Sequence, residues 1–279
     1  MRKFAFIVVL VVLLAGCSSS HPQPSPPAPN LSASPTGIAI DPGPYQSGPF
    51  KAPAKGAYVG AWIKPEELTH VGRLAAVDDM ETNLGRKLKI VNTYRRFEQM
   101  VGTPSDKEFL AQGSTLMVSW ATGDNRSIVD GAYDDLIRKQ ADAIRDLDRP
   151  VLLRMRWEMD RPNLRAEMWS GADYIAAWKY VRNIFREEKA DNISWVWCPT
   201  AEGFQRGDAE QFYPGDDQVD WTCVDVYAGT RFEPIGDLMQ PFLQWAAQHP
   251  KPIIIGEFGV AKAWGSTERA AWIKNAERT

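Results

Sequence analysis

From Tyr58 onward, short apolar runs alternate with longer stretches in which apolar residues recur every three or four positions. A compact apolar run bounded by polar or turn residues reads as a buried strand, and the longer period as an amphipathic helix. The pattern predicts strands over Tyr58–Ile63, Leu88–Tyr94, Thr115–Trp120, Val151–Trp157, Ile193–Trp197, Val219–Tyr227 and Pro252–Phe258. It predicts helices over Pro65–Leu84, Asp106–Gln112, Gly131–Leu147, Ala172–Glu188, Asp237–Gln248 and Ser266–Arg278, with Asp173 and Ser266 at N-cap positions. Repeated strand–helix units imply a parallel sheet, and seven of them in this length imply an α/β fold of the (β/α)8 TIM-barrel type. The sequence given stops within the helix after strand seven, so the barrel reads as truncated, with unpaired edges on strands one and seven.

The stretch before this pattern differs. Arg2 and Lys3 precede an apolar run from Phe4 to Ala15, too short to cross a bilayer and suited to the core of a signal peptide. Residues 1–16 are therefore expected to be a leader and the protein to be exported. Residues 17–56 are rich in Pro, Ser, Gly and Ala and read as a disordered tether, with the folded domain over 57–279. The run Leu14-Ala15-Gly16-Cys17 resembles a bacterial lipobox, which implies lipidation of Cys17 and attachment to the membrane at the cell surface or envelope.

Composition narrows the chemistry. The net charge of −3 offers no basic field for nucleic acid. No G-x-G-x-x-G follows the first strand and no Walker motif is present, so no nucleotide cofactor is expected. Three His residues without Cys/His spacing give no reason to expect a metal. Cys198 and Cys223 both fall within or beside predicted strands. Export permits a disulfide, but the pair is read as buried thiols.

Two strands end in carboxylates. Val151-Leu152-Leu153 runs into Arg154, Arg156, Glu158, Asp160 and Arg161, and Ile253-Ile254-Ile255-Gly256 leads to Glu257. In a parallel barrel the carboxyl ends of the strands form the site. Glycosidic hydrolysis needs a proton donor for the leaving oxygen and an anion on the other face of the sugar, and two carboxyl groups supply both. Strand alternation gives Arg154 and Arg156 the same parity as Glu158, so both are expected on its side of the barrel.

Six segments in order carry a resemblance. They are Trp120 followed by Ile128–Asp135, R-M-R-W-E-M-D (Arg154–Asp160), Tyr174–Arg186, N-I-S-W-V-W-C-P (Asn192–Pro199), Tyr213–Tyr227, and K-P-I-I-I-G-E-F-G (Lys251–Gly259). The chain resembles glycoside hydrolase family 26, a (β/α)8 family of retaining enzymes dominated by β-mannanases. The resemblance implies Glu158 as acid/base, Glu257 as nucleophile and Tyr227 as a hydrogen-bond partner of the nucleophile. Trp120 and Trp62 are expected to floor a sugar cleft, and Trp157 and Arg154 to contact substrate beside Glu158. This chain has Trp157 where the family usually has His, Asp160-Arg161 for Asn-Gly, and W-C-P-T for W-S-P-N. The activity implied is endo-acting hydrolysis of a β-linked polysaccharide, foremost β-1,4-mannan, by a monomer without cofactor. A mixed-linkage β-glucanase and a non-hydrolytic polysaccharide-binding lipoprotein are the alternatives.

Overall fold

Each predicted apolar run contains a parallel strand, and each strand is followed by at least one helix. The computed structural model describes residues 49–229 and 232–276. The strands are β1 (Gly60–Ala61), β2 (Ile90–Arg96), β3 (Thr115–Ala121), β4 (Val151–Met155), β5 (Ile193–Trp197), β6 (Trp221–Ala228) and β7 (Ile253–Val260). They form one sheet in sequence order, every neighbouring pair parallel. The described residues thus form seven successive units of a (β/α)8-type barrel. Among the described residues β1 and β7 do not pair, and a cavity of about 1140 Å³ opens between them. Ile253, Ile255 and Phe258 on β7 are exposed along that opening.

Helices α1 (His70–Leu84), α2 (Pro104–Ala111), α3 (Asn125–Val129), α4 (Asp134–Arg145), α5 (Arg165–Met168), α6 (Gly171–Glu187), α7 (Ala201–Arg206), α8 (Ile235–Ala246) and α9 (Gly265–Ala276) complete the described chain. The strongest predicted helices form because their apolar period survives into packing. On α4, Ile137, Ala141 and Ile144 are buried, and on α6, Tyr174, Ala177, Trp178, Val181, Ile184 and Phe185. The latter helix starts before the expected cap. Ser170 is its N-cap, its hydroxyl accepting from the Asp173 N–H at 3.1 Å, while Asp173 sits in the first turn. Ser266 also lies inside its helix, which begins at Gly265. The short helices α3, α5 and α7 escape prediction because four to six residues cannot display a period. Helix α7 owes its start to the Thr200 cap and its end to Gly207 at φ 75°.

Alternation along the strands separates two cores. One lies between sheet and helices and contains Leu116, Val118, Trp120, Leu153 and Met155. The other lies inside the barrel and contains Met117, Leu152, Val196, Cys198, Trp221 and Cys223. Trp120 therefore points away from any cleft. It is fully buried, packs against Phe97 and Phe185, and donates its indole N–H to the Phe97 carbonyl at 3.0 Å. The expectation that it floors a sugar cleft is corrected: its place in the alternation puts it on the helix side.

Residues 1–48, with the expected leader, Cys17 and most of the tether, lie outside the described residues. The folded part nevertheless reaches back past residue 57. Phe50 is buried inside the barrel, stacks on Trp221, and packs against Tyr58. Its N–H donates to Ser194 Oγ at 2.8 Å, and its carbonyl accepts from Trp221 Nε1 at 3.2 Å. Ser194 and Trp221 stand at the starts of β5 and β6, so Phe50 closes the amino end of the barrel. A Pro/Gly-rich composition marks the tether but cannot show where a single aromatic docks. A chain beginning at residue 57 should lose about 2–4 kcal/mol of stability against one beginning at 49. Urea denaturation of the two checks this; equal midpoints would remove the structural role of Phe50.

Candidate active site

The apolar start of β4 carries Arg154 into the barrel, where it is fully buried. A buried guanidinium persists only if its donors are matched. Here Nε donates to Ser119 Oγ at 2.9 Å, Nη1 to both oxygens of Asp225 at 3.0 Å, and Nη2 to Glu257 Oε1 at 2.6 Å and Tyr94 Oη at 3.3 Å. These partners come from β3, β6, β7 and β2. Arg154 thus ties five strands together beneath the carboxyl-end rim and presents no surface to a ligand. The expected substrate contact at Arg154 is corrected on this ground.

Glu257 reaches Arg154 through an irregularity in the sheet. Between Val224 and Asp225 the register of β6 against β7 shifts, and Gly256 is the residue left over. A Cβ on Gly256 would stand 2.6 Å from Asp225 Oδ1, 2.6 Å from Cys223 Sγ and 2.8 Å from Arg154 Nη1. Only glycine fits there, and its bulge turns Glu257 toward the axis. The carboxylate then accepts from Tyr94 Oη at 2.7 Å on Oε1 and from Tyr227 Oη at 2.8 Å on Oε2, beside the Arg154 bond.

One guanidinium between two carboxylates separates their ionisation. Burial pushes the Asp225 carboxyl well above the usual range; Arg154 opposes this, and the charge of Glu257 adds to it. Burial would also raise Glu257, but Arg154 and the three hydrogen bonds outweigh it and hold the group below the usual carboxylate range. Asp225 is drawn toward the protonated form and Glu257 toward the ionised form. Arg154 itself, penalised by burial, is kept charged by both acids.

Glu158 is held differently. Strand β4 ends at Met155, and the chain then turns with Arg156 at φ 42° and Glu158 at φ 55°. Such backbone costs on the order of 1–3 kcal/mol for a residue with a side chain and persists where the surroundings fix it. The Glu158 N–H donates to the Cys198 carbonyl at 2.7 Å, and its carbonyl accepts from Arg161 N–H at 3.0 Å. The turn ends the alternation, so the expected company changes. Arg156 is bound to Glu167 at 2.8 Å, Arg154 to Glu257, and the cation on Glu158 is half-exposed Arg161 at 2.7 Å.

Of the other predicted residues, Tyr227 does bond Glu257 and is exposed at the rim. Trp62 is exposed and meets the Tyr94 ring edge-on at 5.5 Å. Trp157 packs on Tyr94 at 5.1 Å and lies over the Arg154 guanidinium at 5.2 Å. Trp62, Tyr94 and Trp157 thus form an aromatic wall beside Glu257. Tyr94 and Asp225 were not anticipated. Both could have been read from alternation: Asn92 and Tyr94 share the inward parity of β2, and Asp225 is a lone acid within the apolar run of β6.

Cys198 and Cys223 are not thiols but a disulfide, across 25 residues. Burial gave no means of separating the two states; adjacency in the sheet does, since β5 and β6 bring the two inward positions together. The departures at Asp160 and Thr200 also meet. Asp160 is buried and accepts from both the N–H and the hydroxyl of Thr200, so it joins two loops rather than facing a ligand. The sulfurs and Asp225 are the closest approach to a metal-binding group among the described residues. They do not fit one: the disulfide offers no thiolate, and both Asp225 oxygens face Arg154.

The arrangement resembles known proteins. Endoglucanase H of Acetivibrio thermocellus is 27% identical over 241 residues, which is 79% of this chain and 26% of that protein. Beta-1,3-xylanase TXYA of a Vibrio species is 35% identical over 144 residues, 48% of this chain and 29% of that protein. The chain spans between a quarter and a third of the length of these relatives. Among solved structures, the catalytic domain of an endo-β-1,4-mannanase from Bacillus sp. JAMB-750 aligns with a TM-score of 0.61 at 14% identity, covering 78% of this chain and 73% of that one. A β-mannanase from Bacteroides ovatus aligns at 0.56 and 18%, covering 74% and 73%. These likenesses agree with the barrel topology. The profile of glycosyl hydrolase family 26 matches residues 111–276, more than half of the sequence, and the chain belongs to that family.

Proposed function

We propose that the chain hydrolyses a β-linked polysaccharide with retention, Glu257 acting as nucleophile and Glu158 as acid/base. The observation that carries this reading is the placement of Glu257, aimed by three donors, one of them the Arg154 guanidinium, and half-sheltered at the carboxyl-end rim. In the first step a carboxylate oxygen of Glu257 bonds to the anomeric carbon while the glycosidic C–O bond breaks. Glu158 gives its proton to the leaving oxygen. In the second step Glu158 takes a proton from water, and that water displaces Glu257 from the glycosyl ester. Arg154 stabilises Glu257 as an anion, and the Tyr94 and Tyr227 hydroxyls orient it.

The wall beside Glu257 bears on how a sugar would be held. Trp157 occupies the place before Glu158 and rests on Arg154 and Tyr94, so it offers an apolar face rather than a hydrogen-bond acceptor. β-1,4-Mannan is the substrate implied by the resemblance. The relatives named for glucan and β-1,3-xylan put those polymers beside it in the test. Endo action, a monomeric state and export with a lipid on Cys17 belong to the same proposal, the last supported by the lipobox-like Leu14–Cys17.

Reducing-sugar assays on mannan, mixed-linkage glucan and β-1,3-xylan decide the reading. Glu257→Ala should lower kcat on the cleaved polymer by about 10⁴-fold or more with the melting profile preserved. Glu158→Ala should lose far less on substrates with activated leaving groups than on the polymer. Parental turnover by Glu257→Ala would end the assignment, and binding without turnover by the parent would favour a polysaccharide-binding protein.

The acid limb of the pH profile gives an independent check. Because Tyr227 donates to the charged form of Glu257, its removal raises that carboxyl's pKa, so activity is lost at a higher pH as the solution is acidified. Tyr227→Phe should move the acid limb of kcat/KM upward by about 0.5–1 pH unit. An unmoved limb would separate Tyr227 from the ionisation of Glu257.

A further inference from the structure

Arg161 has no part in the hydrolytic steps, although it touches the residue that performs one of them. It stands where the family usually has glycine, just after Asp160. Its N–H donates to the Glu158 carbonyl at 3.0 Å, and its Nη1 to Glu158 Oε2 at 2.7 Å. The Arg161 side chain is 50% exposed and that of Glu158 13%, so the guanidinium lies on the solvent side of the acid it binds. An ion pair so exposed adds little to stability. Among the described residues no other side chain bonds the Glu158 carboxylate. Two further acids act on Arg161. Asp160 is committed to Thr200 and Arg206, and Glu202, in the first turn of α7, adds its charge without a bond.

This ion pair and the reaction are at odds. The pair lasts only while Glu158 is ionised, whereas transfer to the leaving oxygen starts with the proton on Glu158. In that state Arg161 loses its anion and keeps its charge, because a guanidinium does not deprotonate in a protein. Glycine at this position would leave no such charge. A cation beside the acid and open to solvent suits a substrate that brings its own anion. A uronate brings one to the right place. In a 1,4-linked chain the leaving oxygen is on C4 of the departing sugar, and the carboxylate of a uronate is on the adjoining carbon, C5. A leaving oxygen bonded to Glu158 therefore carries that carboxylate to the guanidinium already touching Glu158. The fork of arginine can donate to both oxygens of such a carboxylate at once.

We propose that Arg161 selects for charge: the preferred substrate is a β-1,4-linked polysaccharide with a uronate as the departing sugar, its carboxylate bound by the Arg161 guanidinium. Binding of that carboxylate releases Glu158 Oε2 from its ion pair, so the acid is freed in the same event that places the leaving oxygen. A neutral hydroxymethyl at the same position gives Arg161 nothing to exchange for Glu158. The proposal rests on the hydrolytic reading and names its substrate class, and its test is separable from that reading.

The test compares the parent, Arg161→Ala and Arg161→Lys. Each is assayed on β-1,4-mannan and mixed-linkage glucan, on the same polymers partly oxidised at C6 to uronates, and on the methyl esters of the oxidised samples. Because Arg161 touches Glu158, each protein is judged by its ratio of kcat/KM on oxidised to neutral polymer. The parent should favour the oxidised polymer about tenfold, lose the preference on the methyl ester, and release chains whose new non-reducing end is a uronate. Arg161→Ala should bring the ratio to about one, and Arg161→Lys, which keeps the charge without the fork, should retain part of it. Equal ratios in parent and Arg161→Ala, or a parent that favours the neutral polymer, would overturn the anion site while leaving hydrolysis intact. Arg161 would then be a counter-ion shared between Glu158 and Glu202. If the parent cleaves none of the polymers, the hydrolytic reading falls and native gels cast with oxidised polymer decide: weaker retardation of Arg161→Ala sustains the anion site, and equal mobility of parent and variant removes it.

Discussion

One buried cation shared between two acids governs the centre of this barrel. Arg154 has no exposed surface, and its donors are taken by Ser119, Asp225, Glu257 and Tyr94. A charge in such a place is costly unless it is paired. Two acids around it exceed what a single positive charge neutralises, and burial decides between them. Asp225, fully enclosed, is driven toward the neutral form, and Glu257, nearer the rim, keeps the charge. The anion needed at the surface is thus sustained by a cation that never reaches it. Gly256 allows this closeness, because any side chain there would strike Asp225, Cys223 and Arg154.

The positions where the chain departs from the usual pattern of its family turn out to touch one another. Cys198 joins Cys223, and its carbonyl receives the Glu158 N–H. Asp160 binds Thr200, which caps α7. Both links run from the Glu158 connection or from β5 to the neighbouring element. They brace the strained turn that presents Glu158 and leave the cleft surface to Trp157, Tyr94 and Trp62. A changed residue near a site is not by that fact a changed substrate contact, and here two of the departures act underneath the site.

The sequence made the scaffold legible because period and burial are local properties. The strands are buried runs, and α4 and α6 keep an apolar face over enough turns to be read. The two carboxylates were legible because an acid at the end of an apolar run has few structural reasons to be there. What was missed depends on contacts distant in sequence. The bulge at Gly256, the left-handed turn at Glu158 and the docking of Phe50 are fixed by neighbours that no window contains. Trp120 was misplaced because a tryptophan near a strand end looks the same on either face until the alternation is counted inward from Met117 and Ser119. Arg154 was assigned to the wrong acid because the alternation was carried past Met155, where the strand had ended.

The open side of the sheet gives the Tyr94 bond a second meaning. Glu257 stands on β7, a strand paired on one side only among the described residues, and the edge it presents is lined by exposed Ile253, Ile255 and Phe258. A carboxylate on such a strand is poorly located by backbone pairing alone, least of all beside a register shift. Two side chains supply what pairing on one side does not. Arg154 reaches Glu257 from β4 through the barrel axis, and Tyr94 reaches it from β2 on the far side of the opening. The second bond crosses the opening from β2, the strand next to the β1 edge, to β7. The same hydroxyl also accepts from Arg154, so the strut and the cation move as one unit. Electrostatics and mechanical location of Glu257 therefore rest on the same two side chains, and neither can be altered without the other.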